Sequence, residues 1–192
     1  MYILKIALQM KRFISFSGVL LLLGMVVLSS CGGARSAAPQ DMAALDSLIR
    51  SREFRVESDW ANPMVTTAMM RLGNILGPQN NIQRVNLIGN SNYLEIRGDS
   101  VKAELPYFGE RRMGGGYDPD GNGIKFDQKA SGMNIKYVDS KKLYRITFEA
   151  RQRSESYNIT LEIFANRKTN MIVNSTQRAP IGFEGTVRHI EE

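Results

Sequence analysis

Tyr93-Leu94-Glu95-Ile96-Arg97-Gly98-Asp99-Ser100-Val101-Lys102-Ala103-Glu104-Leu105 decides the fold class. Leu94 and Ile96 alternate with Tyr93, Glu95 and Arg97. Val101, Ala103 and Leu105 alternate with Lys102 and Glu104. A period of two belongs to a strand with one wet face and one dry face. Gly98-Asp99 sits between the two runs with glycine first, as a tight hairpin turn requires. The stretch therefore predicts an antiparallel hairpin.

The same period recurs toward the C-terminus. Met133, Ile135 and Tyr137 alternate with Asn134 and Lys136. Tyr144, Ile146 and Phe148 alternate with Arg145, Thr147 and Glu149. Tyr157, Ile159, Leu161 and Ile163 alternate with Asn158, Thr160 and Glu162. Asn166 to Asn170 reads as a turn and Met171 to Asn174 as a strand. Ile181 to Ile190 contains the last one. Leu94, Ile96, Tyr144, Ile146, Phe148, Tyr157, Ile159 and Leu161 are the expected core. Successive hairpins predict a mainly β fold: an antiparallel meander forming a curled sheet or barrel-like domain.

Upstream of the meander the period is helical. Met42, Leu45, Leu48 and Ile49 predict a short helix over Asp41 to Ser51, with Asp41 at its start. It is expected to cover an end or a face of the sheet. Phe54-Arg55-Val56 reads as a strand entry. Asn62-Pro63, with Gly73 beyond, favours a second short helix through Val65, Ala68, Met69 and Leu72, on the preference for Pro at the first helical position. A loop is the alternative there.

The N-terminal residues point to export. Lys11 and Arg12 precede an apolar run from Phe13 to Leu28, which is short for a membrane span of about 20 residues. Leu28-Ser29-Ser30-Cys31-Gly32-Gly33 follows. A positive flank, an apolar core and small residues at a cut form a secretory signal. Leu-Ser-Ser-Cys resembles the lipobox of bacterial lipoproteins, in which the cysteine carries a diacylglyceryl thioether and acyl chains such as palmitate. The expected organisation is a signal peptide over 1–30, a flexible tether over 31–40 and a single β-rich domain over 41–192. An uncleaved anchor is the alternative. A start at Met10 would give a more typical leader. No acidic run follows Cys31, so the expected location is the cell envelope, on the outer membrane facing the periplasm.

Composition excludes several function classes. Cys31 is the only cysteine, which leaves no disulfide framework and no cysteine metal knuckle. The formal charge is +6, but Lys5, Lys11 and Arg12 belong to the leader. The remaining 22 Lys and Arg stand against 19 Asp and Glu, an interspersed excess of three that does not suggest nucleic-acid binding. Trp60 is the only tryptophan, thin support for a sugar-stacking platform.

Leu105-Pro106-Tyr107-Phe108-Gly109-Glu110 stands among Asn86-Leu87, Tyr93-Leu94, Gly98-Asp99, Ile124-Lys125-Phe126, Gln177-Arg178, Ile181 and Gly185. In this order the residues resemble a family of Gram-negative lipoproteins, the domain of unknown function numbered 4251, from about Ser47 to Val187. The resemblance implies an envelope lipoprotein with a β-rich domain. It carries no reaction, substrate or catalytic residue.

Few residues suggest chemistry. Asp118, Asp120, Asn122 and Gly123 open like a calcium loop. Lys129 stands where that pattern needs a bidentate acid, so a turn is the plainer alternative and no metal is favoured. Gly114-Gly115-Gly116 lacks the Lys-Ser/Thr of a phosphate loop. His189 is the single histidine and reads as a surface residue. Tyr107, Phe108, Arg111, Arg112 and Tyr117 form the candidate rim for a ligand or partner, with packing the alternative for the aromatics. The expected function is a non-catalytic ligand- or protein-binding or scaffold module with no cofactor. Its partners would be the membrane, through the N-terminal lipid, and an envelope protein or small ligand. Two alternatives stay open: a hydrolase with paired carboxylates in a sheet cavity, and a calcium-stabilised structural domain.

Overall fold

A computed structural model describes residues 39–64, 83–113 and 123–190. Helix α1 spans Pro39–Ser51, starting inside the segment expected to be tether. Asp41 in its first turn and Arg50 in its last match the helix dipole. Leu45, Leu48 and Ile49 are buried on one face, at the spacing expected of a helix laid on a core. Arg52 takes a positive φ of 52° and ends the helix.

Ten strands follow: β1 (Glu53–Pro63), β2 (Val85–Asn86), β3 (Tyr93–Arg97), β4 (Ser100–Leu105), β5 (Ile124–Lys129), β6 (Ser131–Val138), β7 (Leu143–Gln152), β8 (Glu155–Phe164), β9 (Lys168–Ser175) and β10 (Ile181–His189). All described pairings are antiparallel. The order across the sheet is β5-β4-β3-β1-β10-β9-β8-β7-β6, with β2 beside β1. The β3–β4 hairpin turns at Gly98, whose φ is +60°.

The sheet is nearly closed into a barrel. Its two terminal strands are consecutive in the chain, so β5, Ala130 and β6 make one long bent strand. Its first part pairs with β4 and its second with β7. Gly132, at φ +61°, lies where the β6–β7 register slips, and the bend occurs there. At the seam, the Gln128 carboxamide stands in for a strand. Oriented with its nitrogen toward β7, it donates to the Arg151 carbonyl at 3.1 Å and accepts from the Arg151 N–H at 2.5 Å.

The interior of the described barrel holds one contiguous apolar core. Phe54, Val56, Leu94, Ile96, Leu105, Ile146, Phe148, Tyr157, Ile159, Leu161, Met171 and Phe183 belong to one contiguous cluster, joined by the three buried residues of α1. Phe126 meets Phe148 edge-on and tilts against Tyr157, with centroids 6.5 and 5.9 Å apart. Each fully buried Leu, Ile or Phe contributes about 1.5–3 kcal/mol. Of the expected core residues only Tyr144 stays half-buried. Its hydroxyl donates to Asp46 of α1 at 2.9 Å, so the helix is fastened over the barrel opening at the start of β7.

Three expectations are corrected. Asn62-Pro63 does not start a helix; both residues end β1, paired with Gly182 and Ile181. A proline is tolerated at a strand terminus, and the next N–H, of Met64, donates to the Pro180 carbonyl. Residues 65–72 of the expected helix lie outside the described residues. The turn expected over Asn166 to Asn170 is shorter, and β9 begins at Lys168. Arg167 reverses the chain at φ 62°, and Asn166 accepts the Lys168 N–H on its side chain. Finally, β1 runs far beyond Phe54–Val56. A β-bulge at Asp59 hides its length, because Phe54, Val56 and Ser58 face inward before it and Ala61 and Pro63 after it.

Gly185 lies across from the bulge. A Cβ there would collide with the Glu57 carbonyl and Ser58 backbone. On the other side of β1, the buried Asn92 side chain accepts the Ser58 N–H and donates to the Ser58 carbonyl, both at 2.9 Å. Gly185→Ala should therefore destabilise the protein by about 1–3 kcal/mol, the usual cost of overpacking. Gly182→Ala, where the nearest atom lies at an ordinary 3.7 Å, should change little. Urea midpoints of the two variants measure the difference.

Candidate functional site

The end of the barrel away from the Tyr144–Asp46 fastening gathers the polar side chains. β8 starts there with Glu155, on the inward register shared by Tyr157 and Ile159. A carboxylate in that place must be paired, because burial without compensation is costly. Arg178, from the β9–β10 connection, is 1% exposed and donates from Nε to both carboxylate oxygens, at 2.9 and 3.1 Å. The Ser175 hydroxyl donates to the same carboxylate. Its oxygen also accepts the N–H groups of Gln177 and Arg178, at 3.0 and 3.2 Å. Arg111 brings a second guanidinium within 3.9 Å of Glu155.

The LPYFGE segment is the strap over this end. Leaving β4, it pairs with the β9–β10 connection through an Arg111–Arg178 bridge. Ala179 donates to the Glu110 carbonyl at 2.9 Å, and Arg112 donates to the Gln177 carbonyl at 2.8 Å. The Tyr107 ring lies 5.1 Å from the Arg178 guanidinium, within cation–π range. Its hydroxyl reaches the carbonyls of Glu110 and Ala179, at 2.8 and 3.0 Å. A Cβ at Gly109 would run into that ring, which accounts for the glycine. Leu105, Tyr107 and Gly109 of the motif thus have a packing or hydrogen-bonding task, and Glu110 contributes its backbone carbonyl.

This separates the candidate rim residues. Tyr107 turns inward to the lock rather than outward, its one hydroxyl proton shared between the Glu110 and Ala179 carbonyls. Arg111 is largely covered beside Glu155. Phe108 and Arg112 stay exposed. Tyr117 and the calcium candidates Asp118, Asp120 and Asn122 lie outside the described residues, as does Cys31. His189 is exposed, with Nδ1 2.8 Å from the Ile190 carbonyl. Among the described residues no three His, Cys, Asp or Glu side chains gather as metal ligands.

Burial raises the Tyr157 phenol well above its ordinary range, reinforced by its proximity to Glu155. Burial also raises Tyr107, against the opposing hydrogen bond to Ala179. Glu155 is the one buried acid among the described residues, and its oxygens are already engaged by Arg178 and Ser175. The arrangement can hold a strap in place. It offers no second buried carboxylate for acid–base work.

A family model described as a domain of unknown function, DUF4251, matches residues 37–187. The chain belongs to the DUF4251 family. Its fold is also similar to the crystal structure of a DUF4251 family protein from Bacteroides eggerthii DSM 20697, with a TM-score of 0.52 and 10% identity over 78% of this chain and 88% of that one. No curated protein matches the chain. In this DUF4251 domain, Gln177-Arg178 and LPYFGE, far apart in sequence, meet in one lock. Glu155 was missed in sequence, although a charged residue on an apolar register was its signal.

Arg178→Met takes from the buried Glu155 its closest cation, leaving only the Ser175 hydroxyl and Arg111 at 3.9 Å, and should cost about 3–5 kcal/mol in chemical denaturation. Adding Glu155→Leu should recover much of that loss. The tyrosines give a second test. A phenol whose pKa is raised on folding favours the folded state below the unfolded value of about 10 and opposes it above. Stability should therefore fall as pH rises beyond that value, and less steeply in Tyr157→Phe.

Proposed function

We propose that the chain is an envelope lipoprotein, held through acylated Cys31 on the outer membrane facing the periplasm, whose folded domain is a non-catalytic binding or scaffold module. The observation that supports this is the contiguous hydrophobic core of the described residues. One hydrophobic cluster occupies the barrel, α1 covers one opening and the LPYFGE strap crosses the other. A carrier needs an apolar cavity and a hydrolase needs convergent polar groups in a pocket. A barrel with so continuous an apolar core offers its outer surfaces and loops for contact. The lipobox-like Leu28-Ser29-Ser30-Cys31 supports the anchor, since each buried acyl CH₂ contributes about 0.8 kcal/mol.

Cys31→Ser should abolish incorporation of labelled palmitate and move the chain from the membrane to the soluble fraction. Retention of label would remove the anchor. For the module, a photo-crosslinker at exposed Phe108 should give a discrete adduct that excess purified chain competes away. Hydrolytic turnover, lost on changing Glu155 to Gln, would replace binding with catalysis.

A further inference from the structure

The outer face of the sheet holds a cleft of about 350 Å³ across four neighbouring strands, β1, β10, β9 and β8. Trp60 of β1 lines it on one side and Phe164 of β8 on the other. Glu184 and Asn170 lie in the row Trp60–Glu184–Asn170–Glu162 set by strand register, and Phe164 stands one same-face position along β8, beside Lys168. Three strand spacings and a two-residue offset separate the aromatic walls, about 16 Å between backbone positions. The Asp59 bulge helps to shape the wall, since the outward register shifts at this point.

Part of the cleft is organised internally. The Arg84 guanidinium stacks 4.3 Å from the Trp60 ring and pairs with Glu184 at 2.9 Å. The other Glu184 oxygen accepts from Asn62 at 2.8 Å. The rest is unspent. Among the described residues, the Asn170 carboxamide, the Lys168 ammonium and the Asp59 carboxylate have no side-chain partner. Asp59 and Glu184 balance Arg84 and Lys168, so the cleft has no net charge to favour an anion or a cation.

We infer that this cleft binds a neutral saccharide, of mono- or disaccharide size. A sugar ring offers an apolar C–H face to an aromatic wall and hydroxyls that donate and accept around its rim. The cleft supplies both complements: the Phe164 ring and the Trp60 indole, one face of which Arg84 already covers, with carboxamide, carboxylate and ammonium groups between them. One tryptophan is thin evidence in a sequence. The structure adds Phe164 on the far side of the cleft and hydrogen-bonding groups between, which periodicity cannot reveal. The assignment deepens the binding-module proposal and rests on it.

Trp60 is the only tryptophan, so its fluorescence reports on this cleft alone. The full chain, purified in a detergent without a sugar headgroup, is titrated with maltose and cellobiose, and with glucuronate and inorganic phosphate. The expected result is a saturable change in emission with at least one neutral disaccharide and none with the anions. Asn170→Leu, an exposed change that should leave the melting temperature unaltered, should raise the half-saturation concentration about tenfold through a lost hydrogen bond and a blocked floor. A flat response to both disaccharides, with no heat in calorimetry, overturns the assignment. So does a response to the anions alone, or an identical titration in Asn170→Leu. The Phe108 adduct scores the binding-module reading separately, so that reading can survive the loss of this site.

Discussion

A β-sheet has two edges, and each exposes a row of unpaired backbone donors and acceptors. Here both edges belong to one piece of chain, Ile124 to Val138, which bends at Gly132 and shares its pairing between β4 and β7. The rest of the structure follows from that bend. Curling creates an inside, so the alternating strands can turn their apolar positions toward a common interior. Curling also creates two openings. One receives the apolar face of α1 and the other the LPYFGE strap.

The strap end shows how polarity is managed at such an opening. Glu155 is forced inward by its register, and Arg178 and Ser175 meet it there. The same Arg178 underlies the Tyr107 ring, and the same Ser175 caps the turn that carries Arg178. A motif that resembles a binding loop in sequence is thus in large part the fastening of a lid. On the outer face near Trp60, Arg84 and Asn62 engage Glu184, while Asn170 and Lys168 have no side-chain partner among the described residues.

The hairpins were legible in sequence because each has one wet face, which imposes a strict period of two. Tyr93 to Leu105 and Tyr144 to Ile163 fall in this class. Beyond Val56, β1 was not legible, because the bulge changes its parity and Asn62-Pro63 imitates a helix start. The single run Ile124-Lys125-Phe126 was too short to declare itself a strand. The lock was partly visible: LPYFGE and Gln177-Arg178 stood out as family signatures. Their meeting with Glu155 depends on barrel closure, which no local pattern encodes. The Trp60 cleft was hidden for the same reason, since its walls come from β1 and β8, about a hundred residues apart.

The placement of α1 has a mechanical consequence. A pull from the N-terminal side reaches this helix before any strand. Among the described contacts, α1 is held by the seating of Leu45, Leu48 and Ile49 and by the Asp46–Tyr144 hydrogen bond, with no ladder of its own. Behind it β1 is laced to β10 on one side and to β3 on the other. Tension along β1 loads those rungs in parallel rather than one at a time. The helix thus serves as a yielding element in series with a stiff one, and the barrel can keep its shape while its plug gives way.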